Sequence, residues 1–123
     1  MKNYFSIFLI GLVIAIPVFS CKTTAQAKVS ATENYRLVVS FISKGTGIDN
    51  KIHEQFEKFL QENSKKTVSE SFRWGREGEI DYCFQLKELS KKEQTAFVDA
   101  IRKIVGTSDV VLITENAPCV HKK

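Results

Sequence analysis

Thr67-Val68-Ser69-Glu70-Ser71-Phe72-Arg73-Trp74-Gly75-Arg76-Glu77-Gly78-Glu79-Ile80-Asp81-Tyr82-Cys83-Phe84-Gln85-Leu86 is the stretch that decides the fold. Ahead of its two glycines, Val68, Phe72 and Trp74 fall on one side of an extended chain and Ser69, Ser71 and Arg73 on the other. Beyond them Ile80, Tyr82, Phe84 and Leu86 alternate with polar Asp81 and Gln85. A period of two is the mark of a strand with one buried face. Gly75-Arg76-Glu77-Gly78 supplies the turn, so the whole stretch reads as a β-hairpin.

Each arm of the hairpin is flanked by a helix and then a strand. Downstream, Ser90 with Glu93 three residues on forms a capping box, and Phe97, Ala100, Ile101, Ile104 and Val105 lie along one helical stripe that Gly106 ends. Asp109 to Thr114 follows as a strand with the apolar centre Val110-Val111-Leu112-Ile113. Upstream, Ile48, Ile52, Phe56, Phe59 and Leu60 recur at helical spacing, which predicts a helix over 49–63 capped by Asp49 or Thr46. Before it, Tyr35-Arg36-Leu37-Val38-Val39-Ser40-Phe41-Ile42 is rich in β-branched and aromatic residues, as a central strand is.

The order β-α-β-β-α-β is that of the α+β ferredoxin-like sandwich, a four-stranded antiparallel sheet with two helices on one face. Its sheet order, 4-1-3-2, sets the two most apolar strands side by side. Leu37, Val39, Phe41, Ile80, Tyr82, Phe84 and Leu86 are then expected to face the helices, and Val38, Ile42 and Cys83 the open side. Edge strands of such a sheet can pair between chains, and no residue pattern sets the oligomeric state.

The amino-terminal third divides differently. Lys2 precedes an apolar run from Phe5 to Phe19 that is broken by Ser6, Gly11 and Pro17, and no acidic residue occurs before Glu33. A spanning helix needs about 20 apolar residues, so this shorter run reads as the apolar core of an export signal. Lys22 to Asn34 is small and polar without periodicity and reads as a tether. The domain boundaries are therefore a signal segment at 1–20, a tether at 21–34 and the folded domain at 35–123.

Val18-Phe19-Ser20-Cys21 resembles the lipobox of bacterial lipoproteins, with a small residue just before the cysteine and an aliphatic one two places earlier; Phe19 is the departure from that pattern. The resemblance implies cleavage after Ser20, a diacylglycerol thioether on Cys21, and membrane anchoring through the attached chains, each buried methylene contributing about 0.8 kcal/mol. Lys22 does not resemble the aspartate that retains such proteins at the inner membrane, which implies outer-membrane delivery facing the periplasm. The run from Trp74 to Phe84, with Glu115-Asn116-Ala117-Pro118-Cys119 later, also resembles small exported bacterial proteins of unknown function, and implies no activity.

If Cys21 carries lipid, Cys83 and Cys119 remain as a pair in an oxidising compartment, and a structural disulfide is expected between them. Strand alternation places Cys83 on the open sheet face, and the tail carrying Cys119 can fold back across it. The alternative is an envelope thiol- or metal-handling protein in which Cys83, Cys119 and His121 act as soft ligands or a redox pair. These three lack Cys-x-x-Cys spacing, so no cofactor is expected.

Loss of Lys2 with the signal lowers the net charge from +4 to +3, and the remaining lysines fall in scattered pairs. That pattern gives no clustered surface for nucleic acid, while weak attraction to anionic headgroups stays open. Ser43-Lys44-Gly45-Thr46-Gly47-Ile48-Asp49 joins strand to helix where backbone amides can hold an anion, though turn geometry also explains its glycines. His53 reads as a solvated helical residue. Arg73, Trp74 and Arg76 at the hairpin tip are candidate interaction residues, with an arginine stacked on the indole; otherwise Trp74 closes the core. Glu79, Asp81 and Tyr82 alternate along a strand and converge poorly, so no catalytic set is expected. A non-catalytic binding module, in contact with the membrane through its lipid and with an envelope protein as a possible partner, is the function these features favour.

Overall fold

The computed structural model describes residues 33–123. Cys21, the segment read as an export signal and nearly all of the stretch read as a tether lie outside the described residues. Six elements follow in order: β1 (Asn34–Phe41), α1 (Asn50–Asn63), β2 (Ser69–Arg73), β3 (Ile80–Phe84), α2 (Lys91–Val105) and β4 (Val111–Pro118). The sheet is antiparallel throughout with the order β2-β3-β1-β4, so the ferredoxin-like arrangement is present as expected.

Both helices start where the sequence supplies a cap. The Asp49 carboxylate accepts from the Ile52 amide at 3.0 Å. Ser90 and Glu93 bond reciprocally, the full capping box. Gly106, at φ 59°, ends α2, a conformation that costs glycine nothing. Among the described residues no helix is long and apolar enough to cross a membrane.

The main core lies between the sheet and the helices. Leu37, Val39, Phe41, Ile80, Tyr82, Phe84 and Leu86 meet Phe56 of α1 and Phe97, Val98, Ile101 and Val105 of α2. Every residue assigned from alternation to the helix side is in this cluster. Phe56 is the keystone of its aromatic part, with ring centroids 4.9 Å from Tyr82 and 5.4 Å from Phe41. A second, smaller cluster occupies the open face and contains Tyr35, Val38, Cys83 and Cys119, with Phe72 packed against it.

The ends of all four strands depart from the sequence reading. β1 begins at Asn34, one residue inside the expected tether. β2 lacks Thr67, Val68 and Trp74, and β3 stops at Phe84 because Leu86, though fully buried, turns to φ 55°. The largest difference is β4, which starts at Val111 and continues through Glu115–Pro118, residues expected in a tail. Those positions show no apolar pattern, since an edge strand is held by its backbone ladder to β1 and by side-chain pairing instead. Glu115 is gripped by Arg36 of β1 and, at 2.6 Å, by Arg102 of α2.

The Arg36 guanidinium, then that of Arg102, hold the Glu115 carboxyl below the ordinary glutamate range. A depressed folded pKa stabilises above the unfolded value, and that contribution disappears as pH falls below about 4.3. In a carboxyl-carbon NMR titration Glu115 is expected to protonate at a lower pH than a free glutamate. Arg102→Ala is expected to move it upward; an unchanged midpoint would deny the pairing in solution.

Candidate functional site

The open face of the sheet is where polar chemistry gathers. Its floor comes from alternation: Val38 and Ser40 of β1 lie beside Cys83 and Asp81 of β3, which in turn lie beside Glu70 and Phe72 of β2. Over this floor comes the chain after β4. Cys119 is bonded to Cys83 with the Cα atoms 6.0 Å apart, and a turn from Cys119 O to the Lys122 amide carries the chain onward. The even pair expected of the sequence is thus joined. With the bond formed neither sulfur is a free thiolate for a metal, while a bonded pair is also the oxidised form of a redox couple.

Asp81 is the buried polar centre of the face, 2 % exposed. A carboxylate at such a position must be paired, because burial of an unpaired charge is costly. One oxygen accepts from Trp74 Nε1 at 2.9 Å and the other lies 2.6 Å from His121 Nδ1. The imidazole and indole rings stack with centroids 4.1 Å apart and planes 13° apart. Beside this trio Lys122 pairs with Glu70 at 3.0 Å and reaches the Tyr35 hydroxyl, which itself donates to Glu70. Hydrogen bonds to Tyr35 and Glu70 raise the Lys122 ammonium above the ordinary lysine range, and Lys122 is the main cause of a lowered Glu70 carboxyl.

The expected partner of Trp74 is corrected here. His121, not an arginine, stacks on the indole, and Trp74 belongs to the open face rather than closing the main core. Arg73 and Arg76 are exposed and make no ion pair among the described residues. The sequence reading missed the Asp81–His121 contact altogether, since 40 positions separate the two residues. Its only trace was an acid within the otherwise apolar run Ile80–Phe84.

The other candidates disperse. Glu79 folds under the hairpin tip and accepts from the Glu77 amide at 2.8 Å, filling the space over Gly75, whose φ of 56° suits glycine. Tyr82 points to the helices. Glu79, Asp81 and Tyr82 therefore share no site. In the loop after β1 the Gly45 and Gly47 amides both donate to Ser43 Oγ at 3.0 Å, and Ser43 donates to Glu77. Amides read as open to an anion are already satisfied.

His53 is not solvated as expected. Its side chain is 12 % exposed, packs edge-on to Phe41, and lies 2.8 Å from the Tyr82 hydroxyl, which donates to Glu57. Burial, then the Glu57 carboxylate, drive the Tyr82 phenol well above the ordinary tyrosine range. A helical histidine three residues before the buried Phe56 falls on the same side of α1, which is the signal that was available.

Between β1, β4 and the tail lies a depression of about 340 Å³, with Val38, Ile42, Leu112 and Val120 on its apolar sides and Asp81, His121 and Trp74 at one end. Leu112 is 50 % and Val120 75 % exposed. Among the described residues no group of three or more His, Cys, Asp or Glu is placed to hold a metal ion. With both sulfurs bonded and both Asp81 oxygens engaged, the face offers hydrogen bonds, stacked rings and apolar surface. Asp81→Ala would leave the Trp74 and His121 donors unpaired, at an expected cost of about 1 to 3 kcal/mol. Chemical denaturation followed by the emission of the sole tryptophan reads that loss directly; unchanged stability and emission would show the trio to be loose.

Compared with models of known families, with curated proteins and with solved structures, the chain matches none.

Proposed function

We propose that the protein is a lipid-anchored, non-catalytic binding module of the cell envelope, held through Cys21 at the outer membrane on its periplasmic side, with the open sheet face around Trp74 as its recognition surface. The observation that carries the binding reading is the pairing of a clipped, polar-buttressed tail with the exposed side chains of Leu112 and Val120. Apolar groups set on a rigid support lose little freedom on binding, which favours recognition over turnover. Trp and Arg at the same end fit the composition of recognition hot spots. The anchor reading rests on the lipobox-like run ending at Cys21.

Metabolic labelling with palmitate tests the anchor: the wild-type chain should take up label and Cys21→Ser should not, whereas an unlabelled wild type ends the lipoprotein reading. Titration of the purified protein with a thiol reagent, denatured and without reductant, should find Cys83 and Cys119 unreactive. Two reactive thiols would favour thiol or metal handling instead. For the surface, Leu112→Asp and Val120→Asp should keep the fold and abolish capture of the envelope partner by crosslinking; capture that survives both places recognition elsewhere.

A further inference from the structure

β4 ends the sheet on one side, and among the described residues no strand lies beside its outer edge. The Ile42 amide donates to the Val110 carbonyl at 3.0 Å, so the backbone of Val110 and, by alternation, of Leu112 and Thr114 faces β1. The amides and carbonyls of Val111, Ile113 and Glu115 therefore face outward. Natural edges are blunted by short length, lysine, proline or a guarding charge. The opposite edge follows that rule, since β2 has five residues, all exposed except Phe72, with Glu70 and Arg73 among them. β4 does not. Val111-Leu112-Ile113-Thr114-Glu115 holds no lysine, glycine or proline, and Leu112 is 50 % exposed. Its single charge, Glu115, is tied back by Arg36 and Arg102 and so does not guard the edge.

We infer that this edge pairs with β4 of a second copy of the chain, antiparallel about a two-fold axis beside Ile113. The inference stands apart from the anchor and recognition readings above. Three outward donor–acceptor sites at alternate residues call for a strand that offers the same, and β4 matches itself. With Ile113 opposite Ile113 of the second copy, Val111 meets Glu115 and Leu112 meets Thr114, each twice. About six backbone hydrogen bonds form, and no like charges face each other. Neighbouring registers are worse. A slide of two residues one way sets Glu115 against Asp109 of the second copy, and the other way draws Asn116, at φ 52°, inside the ladder. In the favoured register the two four-stranded sheets form one, with the apolar depressions beside Leu112 flanking the seam on a continuous face.

Sedimentation equilibrium of the full chain in a density-matched detergent tests the pairing. The wild type is expected to be a dimer whose fraction falls on dilution. Leu112 and Thr114 are both exposed, so charges there leave the fold intact, as circular dichroism would verify. Leu112→Lys with Thr114→Lys sets lysine against lysine twice across the seam, whereas Leu112→Lys with Thr114→Glu sets lysine against glutamate twice. The first pair of changes should dimerise at least about tenfold more weakly than the second. Amide exchange followed by NMR gives an independent reading: the Val111, Ile113 and Glu115 amides should be protected in the dimer and open on dilution. Equal dissociation constants for the two double variants overturn the inference, as does a dimer in which these three amides exchange freely. A wild type that stays monomeric at every concentration overturns it too, and protection of the three amides in that monomer would show the edge covered by its own chain.

Discussion

Replacing Cys83 and Cys119 together by alanine is expected to lower the stability of the domain by about 3 to 4 kcal/mol, the loop-closure entropy returned to the unfolded chain when a bridge across 36 positions is lost. For a domain near 100 residues that corresponds to a fall in Tm of about 15 °C or more. The native contacts sacrificed are few, since alanine leaves only small gaps where the sulfurs of the 1 % and 4 % exposed Cys83 and Cys119 were. Most of the effect therefore lies in the unfolded state. A local effect accompanies it: His121 and Lys122 would hold the tail alone, so the indole–imidazole stack loosens, Trp74 emission moves to longer wavelength, and amides after Pro118 exchange faster. Urea unfolding of the wild type with and without reductant, beside the double variant, checks the estimate. A difference under about 1 kcal/mol would mean that the tail's polar contacts, not the bond, hold the open face closed.

Phe56→Ala is expected to cost about 3 to 5 kcal/mol, the range for removing a large aromatic from a close-packed core. Phe56 is fully buried and touches Phe41, Tyr82 and Phe84 across the helix–sheet interface. No neighbour can swing into the space, because Tyr82 is tied to His53 and Glu57 and the other two are strand residues in the centre of the sheet. The gap would relieve the burial that raises the Tyr82 phenol, so ultraviolet titration should find this tyrosine ionising at lower pH in the variant. Since a raised folded pKa favours the neutral phenol, its stabilisation is present below about pH 10 and fades as pH rises beyond. A loss of less than about 1.5 kcal/mol would show that the helix repacks.

The residues that faced the helices were readable because each local rule agreed with the next. Leu37, Val39 and Phe41 alternate, Ile80 to Leu86 alternate, and the two helical stripes match them in width, so the main core is a consequence of periodicity. The caps at Asp49 and Ser90 are legible for the same reason, since a cap is a contact between residues three apart. Residues 115–118 of β4 were not, because they are held by the backbone ladder to β1 and, at Glu115, by Arg36 and Arg102, and nothing in their own pattern mentions either. His53 was misjudged from its charged neighbours Glu54 and Glu57, while its burial depends on Tyr82 reaching it from the sheet.

By itself the sequence determined the order of elements, the sheet topology and the helix-facing core. All three follow from spacing along the chain together with the small number of ways two helices can cover one sheet, whereas the bond between Cys83 and Cys119 was one of several open readings until the fold brought the two together. Only the tertiary structure decided the character of the open face. Asp81, Trp74 and His121 come from a strand, a hairpin tip and a tail, and a carboxylate taken from water has to find whichever donors the fold places beside it. The same fold buried Glu79 beneath the hairpin turn and left Arg73, Arg76 and Glu77 exposed. Burial acts on each charge separately, and only the folded chain sets which charges are buried.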